Sequence, residues 1–393
     1  MKVKAIAVTV IGSALFVLVR SAGAEGASSF TGDEIAVPAS PEKSALSVDP
    51  VFDEVAAFLA GRPCAISPYK EFQETAEYRA FAAALEKSWA KMEVERLQPI
   101  RDWAGSEIIG AADATTTLFY PFGGPDALTA VVLFPKAARY LLLGLEFVGR
   151  LPEFTAEKSG DASRYIQDLQ VSLDDFFKKS YFITKNMNEE LAGDKVDGIL
   201  PLLCFFLKRS GKVISSITRL EITEQGLILE SPYPGEPKKR RRPFGICVAF
   251  FAEGTDVLQE MSYISCDLAN DAFRKETPFS LYLHGLPFET TFIKSASYLM
   301  HYREFSRVRD LILDRSRFIL QDDTGIPYRH FSPAKWDIRL YGDYVDPISD
   351  FSGVDQPDLK AAYADPAVVK PLPFHLGYHW GSNKGSLLYL VKK

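Results

Sequence analysis

The residues of this chain best placed to do chemistry are acids that follow short apolar runs. Thr115-Thr-Thr-Leu-Phe-Tyr120 leads through Pro-Phe-Gly-Gly-Pro to Asp126, Tyr140-Leu-Leu-Leu-Gly-Leu145 leads to Glu146, and Phe318-Ile-Leu320 leads through Gln321 to Asp322 and Asp323. A fourth run ends at His284-Gly285, and Arg329 and His330 lie just beyond Gly325. In open α/β sheets, ligands collect in the crevice outside the carboxyl ends of the parallel strands. If these runs are parallel strands, Asp126, Glu146, Asp322, Asp323, His284 and Arg329 are candidates to converge on one site. Such a cluster could hold a hard divalent metal ion through carboxylate oxygens, or divide into a general acid and a general base. The same residues also have structural uses. Asp126 suits the N-cap of a following helix, Asp322-Asp-Thr-Gly325 suits a tight turn, and His284 beside a glycine suits a strand end.

Other chemistry is poorly represented. The chain has no Gly-x-x-x-x-Gly-Lys phosphate loop, Gly-x-Gly-x-x-Gly turn, Gly-x-Ser-x-Gly elbow, His-Glu-x-x-His helix or calcium-loop pattern. The tail Pro373-Phe-His-Leu-Gly-Tyr-His-Trp380 interleaves histidine with aromatics. Such a segment could stack on a sugar ring or a planar ligand; alternatively it is an alternating strand with Phe374, Leu376, Tyr378 and Trp380 on one face and His375, Gly377 and His379 on the other. His375 and His379 have helical metal-ligand spacing, but Pro371, Pro373 and Gly377 oppose a helix there. The basic run Lys238-Lys-Arg-Arg-Arg242 reads as a solvated loop.

The elements that must position these residues follow from periodicity. Helices are expected over Val51–Leu59 and Tyr69–Leu97, where Phe72, Tyr78, Phe81, Leu85 and Trp89 form a core-facing stripe. Thr115–Tyr120, a short helix from Asp126 to Phe134 and Tyr140–Leu145 make a strand-helix-strand unit, close to the shortest parallel crossover. Tyr165–Phe177 and Val196–Leu207 read as helices, and Val213–Ile222 with Leu227–Glu230 and Ile246–Phe251 with Val257–Cys266 as antiparallel hairpins. Ser280–His284 reads as a strand and Phe292–Met300 as helical, followed by a helix through Phe305–Ile312 and strands at Phe318–Leu320, Ile338–Tyr341 and Leu387–Leu390. The expected fold is α/β: a mixed sheet with parallel strand-helix-strand units, central antiparallel hairpins and helices packed on the sheet. One large domain over residues 51–393 is expected, with a helical N-terminal portion at 51–112.

Composition and address narrow the setting. Lys2 and Lys4 precede an apolar Ala5–Val19, and Ala22-Gly-Ala24 supplies a signal-peptidase site, so residues 1–24 read as a cleaved export signal. Residues 25–50, rich in Ser, Ala and Pro, read as a flexible lead-in. The net charge of −6 becomes about −9 when the basic leader is removed, which disfavours nucleic acid as a partner. Four cysteines allow up to two disulfides. Cys204 lies in an apolar run, however, and a hairpin turning at Glu253-Gly-Thr255 puts Cys247 opposite a residue near Met261 rather than Cys266.

The stretches Leu118-Phe-Tyr-Pro-Phe-Gly-Gly-Pro-Asp126, Gly144-Leu-Glu146 and Ile319-Leu-Gln-Asp-Asp-Thr-Gly-Ile-Pro-Tyr-Arg329 resemble an uncharacterised family of exported bacterial proteins. The resemblance covers much of the chain from about Thr115 onward. It implies a bacterial envelope setting, periplasmic or extracellular, and carries no activity, cofactor or catalytic residue. Two functions follow as expectations. One is an exported hydrolase using strand-end carboxylates on a carbohydrate, ester or phosphate. The other is a non-catalytic protein of ligand binding or envelope assembly.

Overall fold

The computed structural model describes residues 49–154, 159–179, 196–233, 244–274, 276–382 and 385–393. The export signal, most of the lead-in and the basic run at 238–242 lie outside the described residues. Helices α1 (Pro50–Leu59), α2 (Tyr69–Gln73), α3 (Ala76–Met92), α4 (Gln98–Glu107) and α5 (Ile109–Ala114) come first, a five-residue π-helical turn joining α3 to α4. Asp49 and Thr75 cap α1 and α3 through their side chains. The aromatic stripe of α2 and α3 is buried as its spacing requires, with Phe72, Tyr78, Phe81, Leu85 and Trp89 all in the core.

The central strands are β1 (Thr117–Tyr120), β2 (Arg139–Gly144), β6 (Gln259–Ser265), β7 (Thr290–Ile293) and β8 (Phe318–Gln321). They pair in parallel in the order β8-β7-β1-β2-β6. Every residue of β1, β7 and β8 is buried, as strands covered on both faces require. On one side of this unit lie β5 (Phe244–Ala252), β3 (Lys212–Ile222) and β4 (Ile228–Pro232), all antiparallel. On the other side lie β11 (Ser386–Lys392), β9 (Trp336–Gly342) and the two-residue β10 (Val369–Lys370). The whole is an eleven-stranded mixed sheet, so the chain has an α/β fold.

Helices cover both faces. α6 (Ala127–Leu133), between β1 and β2, packs with α1 to α5, α7 (Ser159–Lys179) and α8 (Leu200–Arg209) in one apolar core that includes Leu118, Tyr120, Leu142 and Phe292 of the sheet. α9 (Pro278–Gly285), α10 (Ser306–Arg315) and α11 (Pro357–Tyr363) fill the core of the other face with Phe119, Leu141, Ile293 and Ile319. The β1–β2 crossover therefore lies on one face and the β7–β8 crossover on the other. Because β1 and β7 are neighbours whose outgoing chains diverge, the sheet has a topological switch point between them.

Three local expectations are corrected. Ser280–His284 belongs to α9, where Thr277 caps Ser280 N and Pro278 occupies the first turn; this start signal outweighs a short apolar run. Phe292–Met300 is not a helix: β7 ends at Ile293, and Ser295, Ser297 and Tyr298 take left-handed φ values of 52°, 50° and 54°. A doubly buried strand has no two-residue alternation, so its apolar spacing imitates a helix. The tail is not an alternating strand either, since Gly377–Ser382 forms a 3₁₀ turn while Phe374 and Leu376 enter the core.

All four cysteines are free thiols, and the β5–β6 register pairs Cys247 with Ser262, four residues from Cys266. A reductant is accordingly expected to leave the thermal midpoint unchanged. A fall of several degrees in calorimetry would require a disulfide, because losing one costs about 2–5 kcal/mol in small secreted domains.

Candidate functional site

At the switch point the residues leaving β1, β7 and β8 meet. Asp126 follows the Pro121–Pro125 turn and caps α6, its Oδ1 accepting from Thr129 N at 3.2 Å and Thr129 Oγ1 at 2.7 Å. Its Oδ2 accepts from the Tyr120 hydroxyl at 2.9 Å and forms an ion pair with Lys294 Nζ at 2.6 Å. Lys294 is the first residue after β7, and both charged side chains are buried (2% and 5% exposed). Arg96, buried and donating to the carbonyls of Phe176 and Phe177, adds a second positive charge whose field reaches Asp126.

Ser295, next to Lys294, donates its main-chain N–H to Asp322 Oδ2 at 2.8 Å. Asp322 Oδ1 accepts from the N–H and the hydroxyl of Thr324, the Asx turn that its Asp-Asp-Thr-Gly composition favours. Asp126 and Asp322 are thus joined through consecutive residues of the β7 exit loop, and the Tyr120 hydroxyl feels the negative charge of both. Burial and the neighbouring Asp323 push the Asp322 carboxyl up to about 7. Asp323, buried beside it, is also raised; its oxygens accept from the hydroxyls of Tyr298 and Ser386.

The left-handed residues of the β7 exit loop occupy this same place. A single non-glycine residue in that region costs on the order of 1–3 kcal/mol, and clusters of them mark sites where the surroundings impose a geometry. Here the imposing contacts are visible. Asp322 holds Ser295 N, Thr324 Oγ1 accepts from Ala296 N at 2.7 Å, and Tyr378 donates to Ser295 O at 2.9 Å. The Ser295 hydroxyl is left buried with no hydrogen-bond partner among the described residues.

Gly377 closes the site from the tail. Its φ is +68°, and a Cβ there would stand 2.5 Å from Asp322 Oδ2. Gly377→Ala is therefore expected to cost about 1–3 kcal/mol in urea unfolding and to displace the Asp322 carboxyl. A variant as stable as the parent would show that the tail yields freely.

The remaining candidates are distributed differently. Glu146 lies across the Pro121–Pro125 turn, against Gly124; burial raises its pKa, and the Tyr263 hydroxyl reaches its main-chain oxygen at 2.8 Å and Oε2 at 3.2 Å. It stands beside the switch point and makes no hydrogen bond with Asp126 or Asp322. His284 does not join the site: it is exposed near the end of α9, stacked on Phe273, and its carbonyl accepts from Arg315, which precedes β8. That places it by the amino ends of β7 and β8, away from the carboxyl ends where the acids lie. Arg329 stands exposed on the turn after Gly325 and forms no salt bridge with Asp322 or Asp323. No group of three or more His, Cys, Asp or Glu among the described residues is placed to hold a metal ion, the strand-end acids and the pair His375 and His379 included.

Sequence reasoning missed Lys294, Ser295, Tyr120 and Tyr378. Tyr120 was visible as the last residue of a strand. Lys294 and Ser295 were hidden by the helical spacing of Phe292–Met300. No family model matches the chain, and neither the curated proteins nor the solved structures yield a match.

Proposed function

We propose that this protein is an exported hydrolase whose active centre is the β1/β7 crevice, with Asp322 as general base and Lys294 as the charge that stabilises a developing anion. The observation carrying this reading is the meeting of a buried acid, a buried Lys294–Asp126 pair and a left-handed exit loop at the sheet's switch point. A base with a pKa near working pH is most often in the correct protonation state while retaining strength, which Asp322 satisfies. It would take a proton from an attacking water or hydroxyl. Fixed positive charge in a site of low dielectric stabilises the oxyanion that such an attack creates. Asp126 positions Lys294 rather than transferring protons, because it is the carboxylate that forms the 2.6 Å ion pair with that lysine and caps α6. The saturation of these carboxylates also favours a second reading, a non-catalytic binding protein that uses the same crevice for a small molecule or carbohydrate.

The test is turnover of a panel of ester, phosphate and glycoside substrates by the chain lacking residues 1–24, purified from the envelope fraction. Asp322→Ala is expected to reduce kcat by about 10²–10⁴-fold with folding intact by circular dichroism. Saturable ligand binding with no turnover by the parent would decide for the binding protein. A folded Asp322→Ala variant with full activity would remove Asp322 from the reaction.

A further inference from the structure

Beside the crevice, four cationic or titratable side chains from three elements face one another. His301 ends the 3₁₀ turn Leu299–His301, Arg309 lies on α10, and Arg329 and His330 lie on the 3₁₀ turn Tyr328–His330. Arg309 Nη1 donates at 3.0 Å to the main-chain oxygen of Met300, the residue before His301. The field of Arg329 reaches both histidines, that of Arg309 reaches His330, and that of His330 reaches His301. The nearby acids are Asp310, whose carboxylate lies 3.6 Å from Arg309 Nε, and Asp358, which acts on His330.

Burial and the arginine charges hold both imidazoles below their ordinary pKa, so the positive charge here is that of Arg309 and Arg329, and an added anion would compensate it. The hydrogen-bond inventory is also incomplete: His301 Nε2, His330 Nε2 and Arg309 Nε are buried atoms with no hydrogen-bond partner among the described residues. Buried polar atoms are nearly always satisfied, so three orphans on one cluster point to a missing partner: an acceptor for Arg309 Nε, and for the two imidazole Nε2 atoms once they are protonated. His301 also ties the cluster to the Asp322–Gly325 turn, since its ring faces the main-chain carbonyls of Asp323 and Gly325 and packs edge-on against Tyr298. Those carbonyls favour an N–H on the ring nitrogen facing them, leaving Nε2 free to gain a proton when an anion arrives.

We infer that His301, Arg309, Arg329 and His330 form an oxyanion subsite that holds a phosphate or similar tetrahedral anionic group of the ligand beside Asp322. Arginine supplies a planar fork of N–H donors matched to such oxygens. The substrate class is thereby narrowed to anionic compounds, a step that rests on the crevice being the active centre. The subsite itself stands on its own residues.

The experiment is titration of the chain lacking residues 1–24 with inorganic phosphate against sodium chloride of equal ionic strength, followed by calorimetry and by the histidine ring resonances. Phosphate is expected to bind saturably and to move the His301 and His330 signals toward the protonated position. Arg329→Gln, a change at an exposed position, is expected to weaken binding by about tenfold or more, equivalent to ~1.4 kcal/mol. Unmoved histidine signals, or equal phosphate affinity in parent and Arg329→Gln, would overturn the subsite. Repeating the titration on Asp322→Ala separates the two proposals. Phosphate binding that survives this change while the parent shows no turnover keeps the subsite and sinks the hydrolase. Turnover by a parent that ignores phosphate does the reverse.

Discussion

Lys294→Met is expected to destabilise the protein by about 3–5 kcal/mol, because it strips a buried carboxylate of its counter-ion. The Asp126 carboxylate would keep Tyr120 and Thr129 as donors but lose the 2.6 Å ion pair. Methionine approximates the shape of the lysine stem, so packing changes little and the loss reports charge. Asp126→Asn alone should cost less, since an amide oxygen can still cap α6 and Lys294 keeps the Thr129 hydroxyl at 3.4 Å. The double variant Lys294→Met with Asp126→Asn should be more stable than the sum of the single losses predicts, as expected when neither partner remains as an isolated buried charge. Urea unfolding of the four proteins completes the cycle. A Lys294→Met loss below about 1 kcal/mol would place the pair in the class of solvated surface bridges and deprive the crevice of its fixed positive charge.

The parts of this site that were legible in the sequence are those decided locally. Tyr120 and Gln321 close apolar runs too continuous to be anything but doubly covered strands, so the acids beyond them declared themselves as strand-end residues. Asp126 also carried its capping role openly, with a helix-forming Ala-Leu-Thr-Ala stretch behind a Gly-Gly-Pro turn. Which strands are neighbours is a different matter. The pairing of β7 with β1 joins residues about 170 positions apart, and nothing in the local pattern of either announces it. Without that pairing Lys294 has no reason to be matched with Asp126. The left-handed loop at Ser295–Tyr298 was hidden for a related reason: contacts from Asp322, Thr324 and Tyr378 impose it, and those residues come from distant parts of the chain. His284 shows the converse error, since a run of five residues does not hold enough period to separate strand from helix and the Thr277-Pro278 start decided it.

Asp323→Asn is expected to become progressively more stable relative to the parent as pH rises from about 4 to about 7. Asp322 has an ordinary pKa of 3.8 and is pushed up to about 7 in the fold by burial and by the Asp323 charge. Asp323 is raised in the same direction by its own burial. Between these limits the unfolded chain has released protons that the native protein still binds, so the unfolding free energy falls with pH. The stability these carboxyls contribute is complete below about pH 4, is lost through about pH 7 and is flat above it, at about 1.4 kcal/mol for each tenfold change in proton affinity. His301 opposes this trend. Burial and the Arg329 charge lower its pKa from 6.5 to about 4, so its contribution is present above 6.5 and lost as pH falls. In the parent the two effects run in opposite directions. The difference between parent and Asp323→Asn removes the His301 contribution, because that ring faces the main-chain oxygen of residue 323, which the substitution leaves in place. Asparagine can still accept from Tyr298 and donate to Ser386, so the change is chiefly one of charge. The difference should grow by roughly 2–4 kcal/mol across the window in urea titrations at fixed ionic strength. The same substitution should bring the Asp322 titration to lower pH, and if Asp322 is the general base, the rising acidic limb of kcat must move with it. A stability difference that stays flat from pH 4 to 7 would mean that Asp322 and Asp323 do not share one buried environment.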